Sequence, residues 1–113
     1  MALSHTLPIY IATYKLIRLI FERTSNFGRA YKYTLGQDMK RDGINLVGSI
    51  YRANLSKEKR QYLEEFLDNF EILKLEVRLC QYLKLISTKQ LAEISKMLAI
   101  IGKQAIAWKN SSK

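Results

Sequence analysis

The chain of 113 residues contains one histidine, one cysteine, one proline, one tryptophan and five glycines, and each scarcity removes a class of structure or chemistry. With Cys80 alone there is no internal disulfide framework and no cysteine cluster for zinc, so a reducing, cytoplasmic location is the default. The only histidine, His5, lies in a leader expected to be flexible over residues 1–7. That leaves no Ser-His or Cys-His pair for nucleophilic catalysis, no imidazole metal site, and none of the Glu-x-x-His pairs that a di-metal bundle uses. Small α-helical ribonucleases that set a histidine several residues after a helix-borne arginine are excluded for the same reason. No GxxxxGK[ST] or GxGxxG loop is present to cradle a phosphate. The expectation is a protein that is not an enzyme and takes no metal or cofactor.

Long apolar runs are missing too. Nothing approaches the roughly 18 to 20 uncharged residues of a membrane span, and MALSHTLPIY lacks the basic and apolar regions of a secretory signal, so a soluble protein without membrane contact is expected. No segment alternates apolar and polar residues with the period of a half-buried strand.

What is present is 48% hydrophobic and 26% charged residues, a folded composition whose length suits one domain over 1–113. Lys and Arg number 19 against 10 Asp and Glu, a net charge of +9. Such a field on a small body attracts phosphate backbones or anionic lipid. Its distribution is uneven: +7 over residues 1–62, −3 over 63–80 and +5 over 81–113.

Apolar residues recur at helical spacing throughout, which predicts an all-α fold of four helices. The first runs from Pro8, a proline tolerated in a first turn, to about Thr24. Its polar stripe is only Lys15, Arg18 and Glu22, so part of its apolar surface is expected to meet another subunit. The second runs from Arg29 or Tyr33 to Asn54, with Leu35, Met39, Gly43, Leu46, Ile50 and Ala53 inward. Gly36 and Gly43 share a face, which points to close approach of another backbone. The third is expected from Ser56, as N-cap, to about Ile86, its seam carrying Leu63, Phe66, Phe70, Leu73, Val77, Cys80 and Lys84. Cys80 reads as a small buried hydrophobe. Glu64, Asp68 and Glu71 share a face where Arg60 and Lys74 can pair with them. Ser87 and Gln90 form a capping box that opens the fourth helix, whose seam is Leu91, Ile94, Leu98, Ile101, Ala105 and Trp108. Residues 110–113 are expected to fray. Short connections favour an antiparallel, up-down-up-down four-helix bundle.

Charge and aromatics are what remain to carry function. Seven tyrosines could stack on bases. Tyr10, Tyr14 and Tyr51 fit core or subunit contacts better, while Tyr31, Tyr33, Tyr62 and Tyr82 stay open.

Three strings are less generic: Tyr31-Lys32-Tyr33-Thr34-Leu35-Gly36-Gln37, then Ile50-Tyr51-Arg52-Ala53-Asn54, then Lys57 to Arg60. Together with Pro8-Ile9-Tyr10, Arg78-Leu79, Leu83 to Ser87, Gly102 and Trp108, they make a chain that resembles the accessory variability determinant (Avd) family of diversity-generating retroelements. That family lies within a broader four-helix-bundle group that includes proteins encoded in 23S ribosomal RNA intervening sequences. The ribosomal branch tends to end this helix in Asn-Ile-Ala-Glu-Gly, whereas this chain reads Ser49-Ile50-Tyr51-Arg52-Ala53-Asn54, closer to the retroelement branch.

The resemblance implies a basic homopentamer that binds RNA and DNA and associates with a reverse transcriptase to support mutagenic cDNA synthesis. Candidate nucleic-acid contacts are Lys74, Arg78 and Lys84 on the third helix, Lys40, Arg41 and Arg52 on the second, and the ridge Lys89, Lys96 and Lys103 on the fourth. Arg78 and Lys84 match positions that are typically basic in the family. Candidate oligomer contacts are Tyr10, Tyr14, Ile17, Phe21, Gly36 and Gly43. The rival is a structural oligomer of the intervening-sequence type with no direct role on nucleic acid.

Overall fold

A computed structural model describes residues 7–112. The expectations for residues 1–6, His5 and the flexible leader among them, and for Lys113 lie outside the described residues. Four long helices, α1 (Pro8–Thr24), α3 (Leu35–Leu55), α4 (Lys59–Tyr82) and α5 (Thr88–Ser111), are joined by short connections, the first holding a single helical turn, α2 (Arg29–Lys32).

Each long helix packs on two others, α1 and α4 both against α3 and α5, so the four close a square. Neighbours run antiparallel: Ile17 and Thr24 of α1 lie against Gly43 and Gly36 of α3, Arg52 and Met39 of α3 meet Glu65 and Cys80 of α4, and Phe70 of α4 touches Gly102 of α5. The result is an up-down-up-down bundle of 43 × 23 × 22 Å. Its core is formed by the inward seams, among them Leu16, Ile20, Leu46, Ile50, Phe66, Leu73, Val77, Ile94 and Ile101, all essentially inaccessible. Burying each such side chain contributes roughly 1.5–3 kcal/mol relative to leaving it in water.

The expected second helix is interrupted. Thr34 Oγ1 donates to Ala30 O at 2.9 Å, a local bond that competes with continuing the helix. The chain turns at Tyr33 and Thr34 so that Gly36 can pass beneath α1 and the loop. A Cβ added at Gly36 would stand 3.2 Å from Tyr31 O and 3.3 Å from Thr24 Cβ; at Gly43 it would stand 3.3 Å from Ile17 Cγ1. Both glycines therefore accommodate a neighbour within the same chain, which corrects their assignment to a subunit interface.

The third helix is shorter than expected at both ends. Ser56 closes α3 instead of capping α4, and its hydroxyl accepts from Glu58 N at 2.9 Å. Lys59 Nζ then donates to Ala53 O, Asn54 O and Ser56 O at 2.9–3.0 Å, satisfying carbonyls that the end of α3 leaves open. At the other end Lys84 leaves the core seam, is exposed and adopts φ 61°. Lys84 N donates to Gln81 O at 3.0 Å and Leu85 N to Cys80 O at 2.8 Å, the two bonds of a Schellman ending with lysine at the left-handed position that glycine usually fills. A side chain in this conformation costs about 1 kcal/mol. Lys84→Gly is thus expected to raise stability by about 1 kcal/mol, read as a higher urea midpoint with unchanged slope.

The capping box of α5 is present as expected, with Gln90 N donating to Ser87 Oγ at 3.1 Å and Ser87 N to Gln90 Oε1 at 2.9 Å. Helical geometry continues to Ser111, past the expected onset of fraying, and the hydroxyls of Ser111 and Ser112 both donate to Trp108 O.

Candidate nucleic-acid interface

The seam between α4 and α5 opens outward into a groove of about 380 Å³. It exists because α5 presents small residues, Ser95, Ala99 and Gly102, towards α4. At Gly102 an added Cβ would already touch the Phe70 ring at 3.4 Å, so the helices approach closely there. Phe70, Val77 and Leu98 form an apolar floor, and Lys74, Arg78 and Lys103 line the rim. Three of the candidate cations, separated by up to 29 positions in sequence, thus converge on one feature.

Their environments differ. Lys74 Nζ lies 3.0 Å from Glu71 Oε1 and 5.8 Å from the centre of the Phe70 ring. Arg78 and Lys103 have no ion-pair partner among the described residues. Water-exposed pairs such as Lys74–Glu71 are weak, typically under about 1 kcal/mol, so a phosphate can compete for the lysine.

The expected lysine ridge on α5 borders more than one groove. Lys103 lines the α4 side, whereas Lys96 lines a groove on the α1 side with Lys15, Arg18, Glu22 and Glu93. A straight helix turns a heptad row by only about 20° per repeat, so the row stays on the outward face of α5 and its members border the grooves on either side. Lys89, in the first turn of α5, and Lys84, in the α4–α5 connection, stand at the end of the bundle.

The three candidates on α3 stand apart from the groove. Arg41 is paired with Asp38 at 3.2 Å and Asp42 at 3.5 Å, and Arg52 with Glu65 at 3.0 Å. Lys40 Nζ sits 5.3 Å from the centre of the Phe21 ring, between α1 and α3. Arg41 and Arg52 therefore contribute little net field outward.

Of the candidate oligomer contacts, Tyr14 and Phe21 remain exposed on the α1 surface, while Tyr10 and Ile17 are half-buried. The hydroxyls of Tyr10 and Tyr14 share a hydrogen bond of 2.9 Å. Ile44 and Tyr51 on α3 extend the exposed apolar surface beside them. On the far side of α3 a carboxyl pair, Asp42 of α3 and Glu76 of α4, sits between the two helices. Burial first, then the hydrogen bond and charge of Asp42 and the charge of Asp38, push Glu76 up to about 8, against the pull of Arg41. Cys80 is buried 3.4 Å from Met39 Sδ, and burial followed by the charge of Glu76 raises its thiol to about 11, which makes it unreactive.

Among the described residues no group of histidine, cysteine and carboxylate side chains is placed to hold a metal, and no helix is long and apolar enough to cross a membrane. Sequence reasoning missed two groups of cations: Lys15 and Arg18, facing Lys96 across α1 and α5, and Arg29 and Lys32 at the bundle end. The second pair had a visible signal, since residues 25–34 contain no carboxylate.

Fold and surface together define a small helical bundle with a groove between α4 and α5 rimmed by Lys74, Arg78 and Lys103. The chain matches the bAvd-like family model over residues 9–112, and it belongs to that family. The family is one of accessory helical bundles and is not a known class of enzyme. In comparison with curated proteins, none matches the chain.

Proposed function

We propose that this protein is a non-enzymatic, cytoplasmic accessory factor of a diversity-generating retroelement. It binds RNA and DNA through its basic surface and associates with the reverse transcriptase during mutagenic cDNA synthesis. The observation that carries the nucleic-acid part is the convergence of Lys74, Arg78 and Lys103 on one groove, two of them without an acidic partner. Cations so placed neutralise backbone phosphates and release counterions, with little sequence preference. Family membership is the support for the retroelement and the polymerase partner.

The same reading includes a homopentameric ring. Exposed Tyr14, Phe21, Ile44 and Tyr51 support lateral self-association, because apolar surface of this extent is favourably covered. Five chains of net charge +9 give a particle of about +45, a field suited to long polyanions.

Filter-binding titration with RNA and DNA across a salt series tests the first part. Affinity is expected to fall about a hundredfold between about 50 and 200 mM salt, as three to five phosphate contacts require. Affinity that barely changes would sink the phosphate mechanism and favour a purely structural bundle. Light scattering tests the second part: a mass of five times the 13.2 kDa chain is expected, and a clean monomer contradicts the ring.

A further inference from the structure

Two connections meet at one end of the bundle. There α1 hands over to α3 through residues 25–34, and α4 to α5 through residues 83–87. The Met39–Cys80 contact sets the antiparallel register of α3 and α4, which brings Tyr82 and Lys84 level with the start of α3. The end face is bounded by the two short dimensions of the bundle, 23 × 22 Å.

Residues 25–34 and 81–90 contain four cations, Arg29, Lys32, Lys84 and Lys89, and no aspartate or glutamate. None of the four has an ion-pair partner among the described residues; Lys32 Nζ instead lies 5.9 Å from the centre of the Tyr33 ring. Tyr33 is 64% and Tyr82 is 83% exposed. At the opposite end Lys57 likewise has no ion-pair partner among the described residues, but the neighbouring cations are taken up. Lys59 is taken up by three backbone carbonyls, Arg60 pairs with Glu64 at 3.4 Å, and Lys109 lies 4.0 Å from the same carboxylate. Lys84, moreover, holds a left-handed backbone position where glycine would be the more stable choice, and strain of this kind concentrates at functional sites.

Exposed aromatic faces among uncompensated cations match one chemistry. Rings of this kind stack on nucleobases, and the surrounding ammonium and guanidinium groups take the phosphates. A duplex hides its base faces, so the ligand must be single-stranded. The groove between α4 and α5 differs, because its aromatic ring, Phe70, is buried in the floor and offers no open face to a base. Lateral association through α1 and α3 would leave the bundle end open.

We infer that this end of the bundle is a binding platform for single-stranded RNA or DNA, with bases stacked on Tyr33 and Tyr82 and phosphates held by Arg29, Lys32, Lys84 and Lys89. The inference rests on the proposal that the protein binds nucleic acid, and it adds a strand preference and a location to it.

Fluorescence anisotropy with a labelled oligothymidylate of about a dozen nucleotides, and with a duplex of equal length, tests it on the full chain. Tyr33→Ala with Tyr82→Ala is expected to weaken the single strand about 30-fold or more, as two lost stacking contacts imply, and to change duplex affinity less than about twofold. Tyr→Phe at both positions is expected to restore single-strand binding, since the ring and not the hydroxyl stacks. Both tyrosines are exposed, and a thermal melt of each variant checks that the fold is retained. If the double alanine variant binds the oligonucleotide as the parent does, the platform is refuted while the nucleic-acid reading stands. A parent protein that binds neither probe refutes both. Polyglutamate that displaces the oligonucleotide equally well refutes the platform in favour of an acidic protein partner.

Discussion

Replacing Lys74, Arg78 and Lys103 together by glutamine is expected to lower duplex affinity about a hundredfold at about 0.1 M salt and to flatten the logarithmic salt dependence by almost three units. Each phosphate contact contributes about 0.9 to that slope on duplex DNA, so a change near three identifies all three side chains as contacts. The three line one groove, and Arg78 and Lys103 have no acidic partner to share with a phosphate. A paired variant, Arg41→Gln with Arg52→Gln, supplies the contrast. Asp38, Asp42 and Glu65 already offset those charges, so the slope is expected to move by less than one unit. Filter binding between about 50 and 200 mM salt reads both variants. An unchanged slope in the triple variant would remove the groove from the binding surface.

The contrast also shows what could be read without coordinates. Lys74 and Arg78 fall one turn apart on α4, which periodicity reveals, but their proximity to Lys103 depends on α4 and α5 packing antiparallel at a depth set by Gly102. Arg41 and Arg52 look equally basic in the sequence, and only the register of α3 on α4 brings Glu65 to Arg52. In the same way, Gly36 and Gly43 announce a close approach but not its source; Thr24, Tyr31 and Ile17 of the same chain provide it.

Helix ends divide along a similar line. Pro8 at the start of α1 and the Ser87–Gln90 box at the start of α5 are local devices, complete within four residues, and both stand where the sequence predicts. Ser56 is equally good as a cap by its chemistry, yet its hydroxyl turns to Glu58 N while Lys59 reaches back to the end of α3. Extending the α4 seam to Lys84 fails for another reason. Three-four spacing records which face a residue occupies but is blind to the sign of φ, and at Lys84 the helix ends by reversing it.

The remaining large effect lies in the carboxyl pair between α3 and α4. Stability of the protein is expected to fall as pH rises from about 5 to 8, and Glu76→Gln is expected to abolish that part of the fall. Burial, Asp42 and Asp38 raise the folded-state value of Glu76 from 4.5 to about 8. In the unfolded chain the group ionises near its ordinary value, so between the two values folding takes up a proton. Its contribution is fully present below about 4.5 and lost as pH passes through about 8, because the charged form then has to share its site with Asp42. Glu76 is only partly buried, and water screens much of the penalty, which brings the expected gain of Glu76→Gln at pH 8.5 to about 2 kcal/mol. At pH 4 the two proteins are expected to match closely, since Glu76 is then mostly protonated in both states. Urea midpoints measured across pH at one fixed protein concentration give the difference directly and keep any assembly equilibrium constant. A difference that stays flat from pH 4 to 8.5 would show that Glu76 ionises in the folded protein as it does in the unfolded chain. A difference that grows through this range would make the seam between α3 and α4 weaker at alkaline pH, beside the Met39–Cys80 contact.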